Sequence, residues 1–271
     1  MNSPTQYAIG VFDSGMGGLT VLRALNEKLP RESFIYLGDT ARLPYGTKSP
    51  DTVRHYAVRL VKILIERKIK ALVIACNTAT TAALPHLQNL FPDLPIIGVV
   101  QPGAEAAVAV TQNQHIAVFA TETTIASHAY QNIITQQLPQ ASISARACSL
   151  LVALAEEGMT ANILAKEALR HYLSEFSSED TLLLGCTHFP VFKPLLQQLL
   201  PMHVQIVDSA AATANALARV LQERNLLNES SLSARTIQYL VTDSKERFRS
   251  IGEIFLGEQL DVASIDIIDV V

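Results

Sequence analysis

Two stretches of this chain read alike and stand 110 positions apart. Ala71-Leu72-Val73-Ile74-Ala75-Cys76-Asn77-Thr78 is one, and Thr181-Leu182-Leu183-Leu184-Gly185-Cys186-Thr187-His188 is the other. Each sets a short apolar run ahead of a small residue, a Cys and small polar residues. A run of this length bounded by turn chemistry suits a strand buried on both faces. Each Cys then stands just past a strand's C-terminal end, the edge where ligands bind in open α/β sheets. Ile97 in Pro95-Ile96-Ile97-Gly98 and Val207 in Gln205-Ile206-Val207-Asp208 are also 110 positions apart. Phe12, in Val11-Phe12-Asp13-Ser14, precedes Phe119, in Val118-Phe119-Ala120-Thr121, by 107. Landmarks that keep their order and spacing mark an internal repeat. The repeat predicts two similar α/β domains with mainly parallel sheets, related by a pseudo-two-fold axis, with the strand ends of both lining one cleft. The expected division is 1–98 with 208–271, and 99–207. The tail after Val207 has no counterpart and is expected to pack back on the first half.

Composition bounds the partners. With 271 residues, 49% of them hydrophobic and 17% charged, the chain can bury a substantial core. Mean hydropathy is +0.23, yet no unbroken apolar stretch is long enough to span a bilayer, so no membrane partner is expected. Met1 to Gln6 lacks a basic region followed by an apolar one, so no signal peptide is expected. Three Cys are an odd number and too few for a disulfide framework, which points to reduced thiols in a cytoplasmic protein. A net charge of −4 without a basic tract argues against nucleic acid.

Along the chain, Tyr7 to Phe12 reads as a first strand, followed by the Gly-rich turn Asp13 to Gly18 and a helix to Leu29. Phe34 to Leu37 is a second strand, and Thr40 to Pro50 a long loop. Pro50 opens a helix, as Pro does at a first helical turn. After Cys76 a helix begins near Thr78, with Pro85 expected to break or kink it. Pro95 to Val99 is a strand, and the pattern restarts at Ile116 to Phe119. Loop and helix follow to Gln136, then a weak strand at 142–145 and helices over 150–156 and 161–176. Leu182 to Leu184 leads to Cys186, Pro190 opens a helix, and Val204 to Val207 is a strand. The tail adds a helix over 210–224, a strand over 237–241, a helix over 245–255 and a last strand.

The usual role of a free Cys is that of a small buried apolar residue, and Cys148, among Ala147, Ser149 and Leu150, reads that way. Cys76 and Cys186 differ. Cys76 precedes a helix N-terminus, whose partial positive charge and free N–H groups favour thiolate. Cys186 has His188 two positions on, in a catalytic or orienting place. Facing thiols could hold zinc, form a redox disulfide, or do acid–base work on opposite faces of a substrate. Zinc wants three or four ligands, and no Cys-x-x-Cys or His-x-x-x-His is present. Moving a proton across a carbon needs a base on one side and an acid on the other, and thiol pKa values are tunable by neighbours. Asp13 and Ser14 are ordinary turn and cap residues, or the Asp13 carboxylate orients or deprotonates a thiol. The glycines after them let backbone N–H groups approach an anion, although Gly15-Met16-Gly17-Gly18 lacks dinucleotide-binding spacing. Arg42 to Gly46 is a turn or a substrate wall. Thr121, Thr123 and Thr124 are caps or hydroxyl donors.

Taken together, five segments resemble the cofactor-independent glutamate racemases of the aspartate/glutamate racemase superfamily. They are Gly10-Val11-Phe12-Asp13-Ser14-Gly15 with Gly17 to Val21; Asp39-Thr40-Ala41-Arg42 with Pro44-Tyr45-Gly46; Ala75-Cys76-Asn77-Thr78-Ala79; Leu184-Gly185-Cys186-Thr187-His188-Phe189-Pro190; and Val207-Asp208-Ser209-Ala210. The paired Cys segments are shared across the superfamily, and the Asp-Ser-Gly and Pro-Tyr-Gly segments point to the glutamate branch. The resemblance implies interconversion of L- and D-glutamate without metal or other cofactor, supplying D-glutamate for peptidoglycan. Cys76 would take the α-proton of D-glutamate and Cys186 that of L-glutamate. Asp13 and His188 would assist them, with Glu156 as a further assistant. Substrate contacts would fall on Asp13, Ser14, Pro44, Tyr45, Gly46, Asn77, Thr78, Thr121, Thr124, Thr187 and His188. The expected partner is a small molecule, glutamate, and a homodimer is left open. The chain departs from the resemblance at Ser149 and Ala153, where prolines are expected, and activation through an N-terminal extension, as in some members, is not expected. Two rivals are an aspartate or hydantoin racemase of the same superfamily and a non-catalytic amino-acid-binding protein. Intact Asp13, Cys76, Cys186 and His188 argue against the second.

Overall fold

The computed structural model describes residues 4–229 and 235–270. The first part of the chain runs β1 (Ile9–Asp13), α1 (Leu19–Lys28), β2 (Phe34–Gly38), α2 (Pro50–Glu66), β3 (Ala71–Ile74), α3 (Asn77–Leu90), β4 (Ile96–Gly98) and α4 (Val100–Val110). It continues with β5 (His115–Ala120), α5 (Glu122–Ala126), α6 (Ala129–Gln137), β6 (Ser142–Ala147), α7 (Ser149–Glu156), α8 (Ile163–Tyr172), β7 (Thr181–Gly185), α9 (Lys193–Leu199) and β8 (Gln205–Asp208). The tail adds α10 (Ala210–Glu223), β9 (Ile237–Val241), α11 (Lys245–Leu256) and β10 (Ile265–Ile267).

These strands form two wholly parallel sheets. One has six strands in the order β10-β9-β2-β1-β3-β4, the other four in the order β6-β5-β7-β8. Replacing β1 to β4 by β5 to β8 turns the order β2-β1-β3-β4 into the order of the second sheet. The repeat extends to register. Val73 pairs with Ile97 and Leu183 with Val207, each shifted by the same 110 positions. Phe12 pairs with Ile74, and Phe119 with Leu184. The 110-position spacing read in the sequence is therefore a repeat of strand order and pairing. The tail strands β9 and β10 extend the first sheet beyond β2.

Parallel strands covered by helices on both faces must be apolar throughout. All five residues of β1, β2 and β7 and all four of β3 are buried. Leu60, Val61 and Leu64 of α2 pack with Ala79, Ala83 and Leu87 of α3 on one face of the first sheet. Val21, Leu22 and Leu25 of α1 share another core with Leu217 and Leu221 of α10 and with Cys186.

The structure corrects the sequence expectations in three places. The helix after Cys76 is not broken by Pro85 but runs from Asn77 to Leu90. Pro85 gives up one backbone hydrogen bond, while Ala83 and Leu87 on either side of it are fully buried. Helix α4 fills a stretch with no predicted element. Pro102 lies in its first turn, where a missing N–H costs nothing. After Cys186, Phe189–Phe192 forms a 3-10 turn before α9 begins at Lys193. Where prolines were expected, Ser149 and Ala153 lie in a continuous α7 that delivers Glu156 at its last turn.

Candidate active site

Both thiols leave their strands at equivalent positions. Cys76 follows β3 as the N-cap of α3, and its Sγ accepts the Ala79 N–H at 3.4 Å. Cys186 follows β7 and is 7% exposed, against 6% for Cys76. The two line one cavity, with Ser14, Pro44, Tyr45, Gly46, Asn77, Thr78, Thr121, Glu156, Thr187 and His188 on its wall. Leu43 and Val152 complete the lining. The centre of a water molecule has about 20 Å³ to move in there, roughly one water's worth of space. Cys148 is buried elsewhere, as the N-cap of α7.

Each thiol has its own ionisable neighbours. Burial and the Asp13 charge push the Cys76 thiol up to about 12, against a hydrogen bond from Ser14 and the Ala79 N–H. Asp13, fully buried at the end of β1, accepts the Gly15 N–H at 3.0 Å. Burial raises its carboxyl above the usual range, outweighing the His188 charge and the Gly18 and Gly15 N–H groups. Beside Cys186, His188 Nδ1 stands 3.8 Å from Sγ, and Nε2 meets Glu156 Oε1 at 2.5 Å. Burial pulls the His188 pKa down, but the hydrogen bonds and charges of Cys186 and Glu156 outweigh it and raise it well above the usual value. Thr187 Oγ1 donates to Asp13 Oδ1 at 3.5 Å, linking the two neighbour sets.

Polar contacts tie much of the remaining wall across the two sheets. The hydroxyls of Thr78, Thr121 and Thr124 form a triangle with sides of 2.9, 3.0 and 3.3 Å. Thr124 itself does not line the cavity and reaches it through this triangle. Thr123 Oγ1 donates to the carbonyls of Gly46 and Lys48 at 2.9 and 3.0 Å, holding the Tyr45–Gly46 wall against α5. The Tyr45 hydroxyl donates to Asp39 Oδ2 at 2.5 Å. Asp39, also fully buried, accepts from Arg42 and Thr242 as well. Gly17 and Gly46 are places of close approach. A Cβ at Gly17 would lie 2.5 Å from His188 Nδ1, and one at Gly46 would lie 2.6 Å from Thr121 Cβ.

Sequence reasoning missed some of this wall. Val152 carries no chemical signal, whereas Leu43 falls inside the Arg42–Gly46 segment read as a turn or a substrate wall. Tyr130, whose hydroxyl donates to Asn77 Oδ1 at 2.6 Å, gave none either. Among the described residues, no group of three or more His, Cys, Asp or Glu could hold a metal ion, and no helix is long and apolar enough to cross a membrane.

Chemically, the cavity offers two buried thiols, an acid–base partner for each and a ring of hydroxyl and N–H donors. That equipment suits proton transfer to and from a small polar molecule. Comparison with known proteins agrees. The chain is 45% identical over 263 residues to the glutamate racemase of Syntrophus aciditrophicus, covering 96% of each chain. The structure superposes on glutamate racemase isoform RacE1 from Bacillus anthracis with a TM-score of 0.91 at 35% identity, covering 98% of both chains. It matches the Francisella tularensis glutamate racemase, solved in complex with D-glutamate, with a TM-score of 0.90 at 34% identity over 98% of both. The model of the Asp/Glu/Hydantoin racemase family matches residues 9–217, and the chain belongs to that family.

Proposed function

We propose that the protein is a glutamate racemase, exchanging the α-proton of L- and D-glutamate between two cysteines. The observation that carries the reading is the pair of thiols on equivalent strands of a repeat, lining one cavity with different assistants. Cys76 faces one side of Cα and takes the proton of D-glutamate; Cys186 faces the other and takes that of L-glutamate. Glutamate's α-hydrogen is a very weak acid, so the base must be strong once formed. A thiol raised to about 12 by burial is a stronger base as thiolate than an ordinary one. Asp13, itself raised, receives the Cys76 proton. His188, raised and held by Glu156, supplies the positive charge that stabilises the Cys186 thiolate.

The developing negative charge on the substrate needs preorganised donors in a site closed to water. Asn77, the threonine hydroxyls and the free N–H groups at the start of α3 supply them. The reaction draws on no metal or organic cofactor. Its product, D-glutamate, serves peptidoglycan synthesis in the cytoplasm.

Circular dichroism of purified protein with D-glutamate and no added cofactor tests the reading. Wild type should racemise it, also after exhaustive EDTA treatment. Cys76→Ala and Cys186→Ala should each lose roughly 10²–10⁴-fold or more while staying folded. Cys148→Ala should keep most activity. A protein inert on glutamate but active on aspartate or a hydantoin would overturn the assignment.

A further inference from the structure

Tyr130 stands outside the residues just given roles, yet it touches both thiol loops. It lies on α6 in the second half of the repeat and is 1% exposed. It belongs to a buried cluster with Val100, Ala104, Ile134 and Leu183. Its hydroxyl donates at 2.6 Å to Oδ1 of Asn77, the residue after Cys76. Its ring edge also packs on Gly185, the residue before Cys186. A Cβ added at Gly185 would lie 2.8 Å from Tyr130 Cε2, so only glycine admits the ring there.

Asn77 is 3% exposed and lines the cavity. Its Nδ2 finds no hydrogen-bond partner among the described residues. A buried amide left half satisfied costs free energy unless something else completes it. An asparagine amide can turn over and exchange its oxygen and nitrogen, and a hydroxyl that donates to the oxygen selects one of the two orientations. Burial, followed by the Cys186 and Asp208 charges, pushes the Tyr130 hydroxyl well above its usual range. It therefore remains a donor throughout the working pH range.

We propose that Tyr130 is a positioning residue for racemisation: by donating to Asn77 Oδ1 it keeps the Asn77 Nδ2 hydrogens turned to a carboxylate of the bound amino acid. The inference rests on the glutamate racemase reading of the site. It assigns Tyr130 no proton to transfer and no contact with the reacting carbon.

A double-mutant cycle separates this from a packing role. Tyr130→Phe keeps the ring and removes only the hydroxyl. It should lose roughly ten-fold in kcat/KM, carried mainly by KM, because the amide is no longer held in one orientation. Asn77→Ala should lose more. The double variant Tyr130→Phe/Asn77→Ala should be no worse than Asn77→Ala alone, since the hydroxyl acts through that amide. Losses that multiply, or a Tyr130→Phe variant within two-fold of wild type, would overturn the proposal. Asn77→Asp tests the same claim with Tyr130 untouched. It keeps an acceptor for the Tyr130 hydroxyl, discards the Nδ2 donors and sets a like charge against the carboxylate, so its KM should rise at least as far as that of Asn77→Ala. A wild-type KM for Asn77→Asp would overturn the proposal.

Measuring D-glutamate affinity of the same proteins by calorimetry keeps the two readings apart. A wild type that binds glutamate with the predicted coupling but does not racemise it sinks the activity and supports Tyr130. A wild type that racemises it without coupling sinks Tyr130 alone. One that neither binds nor racemises it overturns both.

Discussion

At the scale of single residues, the site consists of ordinary side chains made unusual by burial. Cys76 caps a helix, which favours thiolate, yet burial and Asp13 outweigh that and push its thiol to about 12. Only the thiolate is nucleophilic. Alkylation of Cys76 by iodoacetamide, followed by peptide mapping, should therefore speed up about ten-fold per pH unit from 7 to 9.5. A plateau below pH 9 would show a thiol much more acidic than this. The cysteines, Asp13 and His188 were singled out in the sequence because their chemistry is rare and each stands at or just past the end of a strand. Tyr130 was not. Its value comes from Asn77, 53 positions away, and nothing local to Ala129-Tyr130-Gln131 records that contact.

At the scale of elements, the sequence was most legible where apolar runs had to be strands. The buried strands β1, β2, β3 and β7 stand within a residue or two of where the pattern put them. Helix α4 went unread, and it holds two residues that break helices elsewhere, Pro102 and Gly103. Pro102 falls in the first turn, and Gly103 makes room for Tyr130 and Ser209, a tertiary reason that local pattern cannot express. Pro85 misled in the opposite direction, since buried neighbours keep α3 whole around it. The Gly-rich turn leading into α1 is an element with a functional constraint of its own. A methyl group at Gly17 would sit 2.5 Å from His188 Nδ1 and 2.6 Å from Thr187 Oγ1. Gly17→Ala should push His188 away from Cys186 and lose on the order of 10²-fold in kcat, as small misplacements of catalytic groups do. Its unfolding free energy should fall by about 1–3 kcal/mol, the ordinary cost of overpacking. Normal kcat in a folded Gly17→Ala protein would mean that His188 does not need its present place.

At the scale of the whole molecule, the repeated strand order carries the two thiols to one cavity, and that cavity is narrow. About 20 Å³ is open to the centre of a water molecule, a tight fit in which movement of the wall is expected to accompany turnover. Thr123 bridges the Gly46 and Lys48 carbonyls to α5, and opening on this side of the wall would part that bridge. A disulfide formed in Lys48→Cys/Thr123→Cys should abolish turnover, and its reduction should restore it, with wild type carried through the same oxidation as reference. Full activity in the cross-linked protein would show that glutamate gets in another way. The central claim, that two distinct thiols work on opposite faces of Cα, is tested most directly by isotope labelling. Wild type is given one pure enantiomer of glutamate in D₂O and sampled early. Deuterium should enter the newly formed enantiomer while the remaining starting enantiomer stays largely protiated, because one group abstracts and another donates. Equal early labelling of both enantiomers would reveal a single shared base and contradict the account.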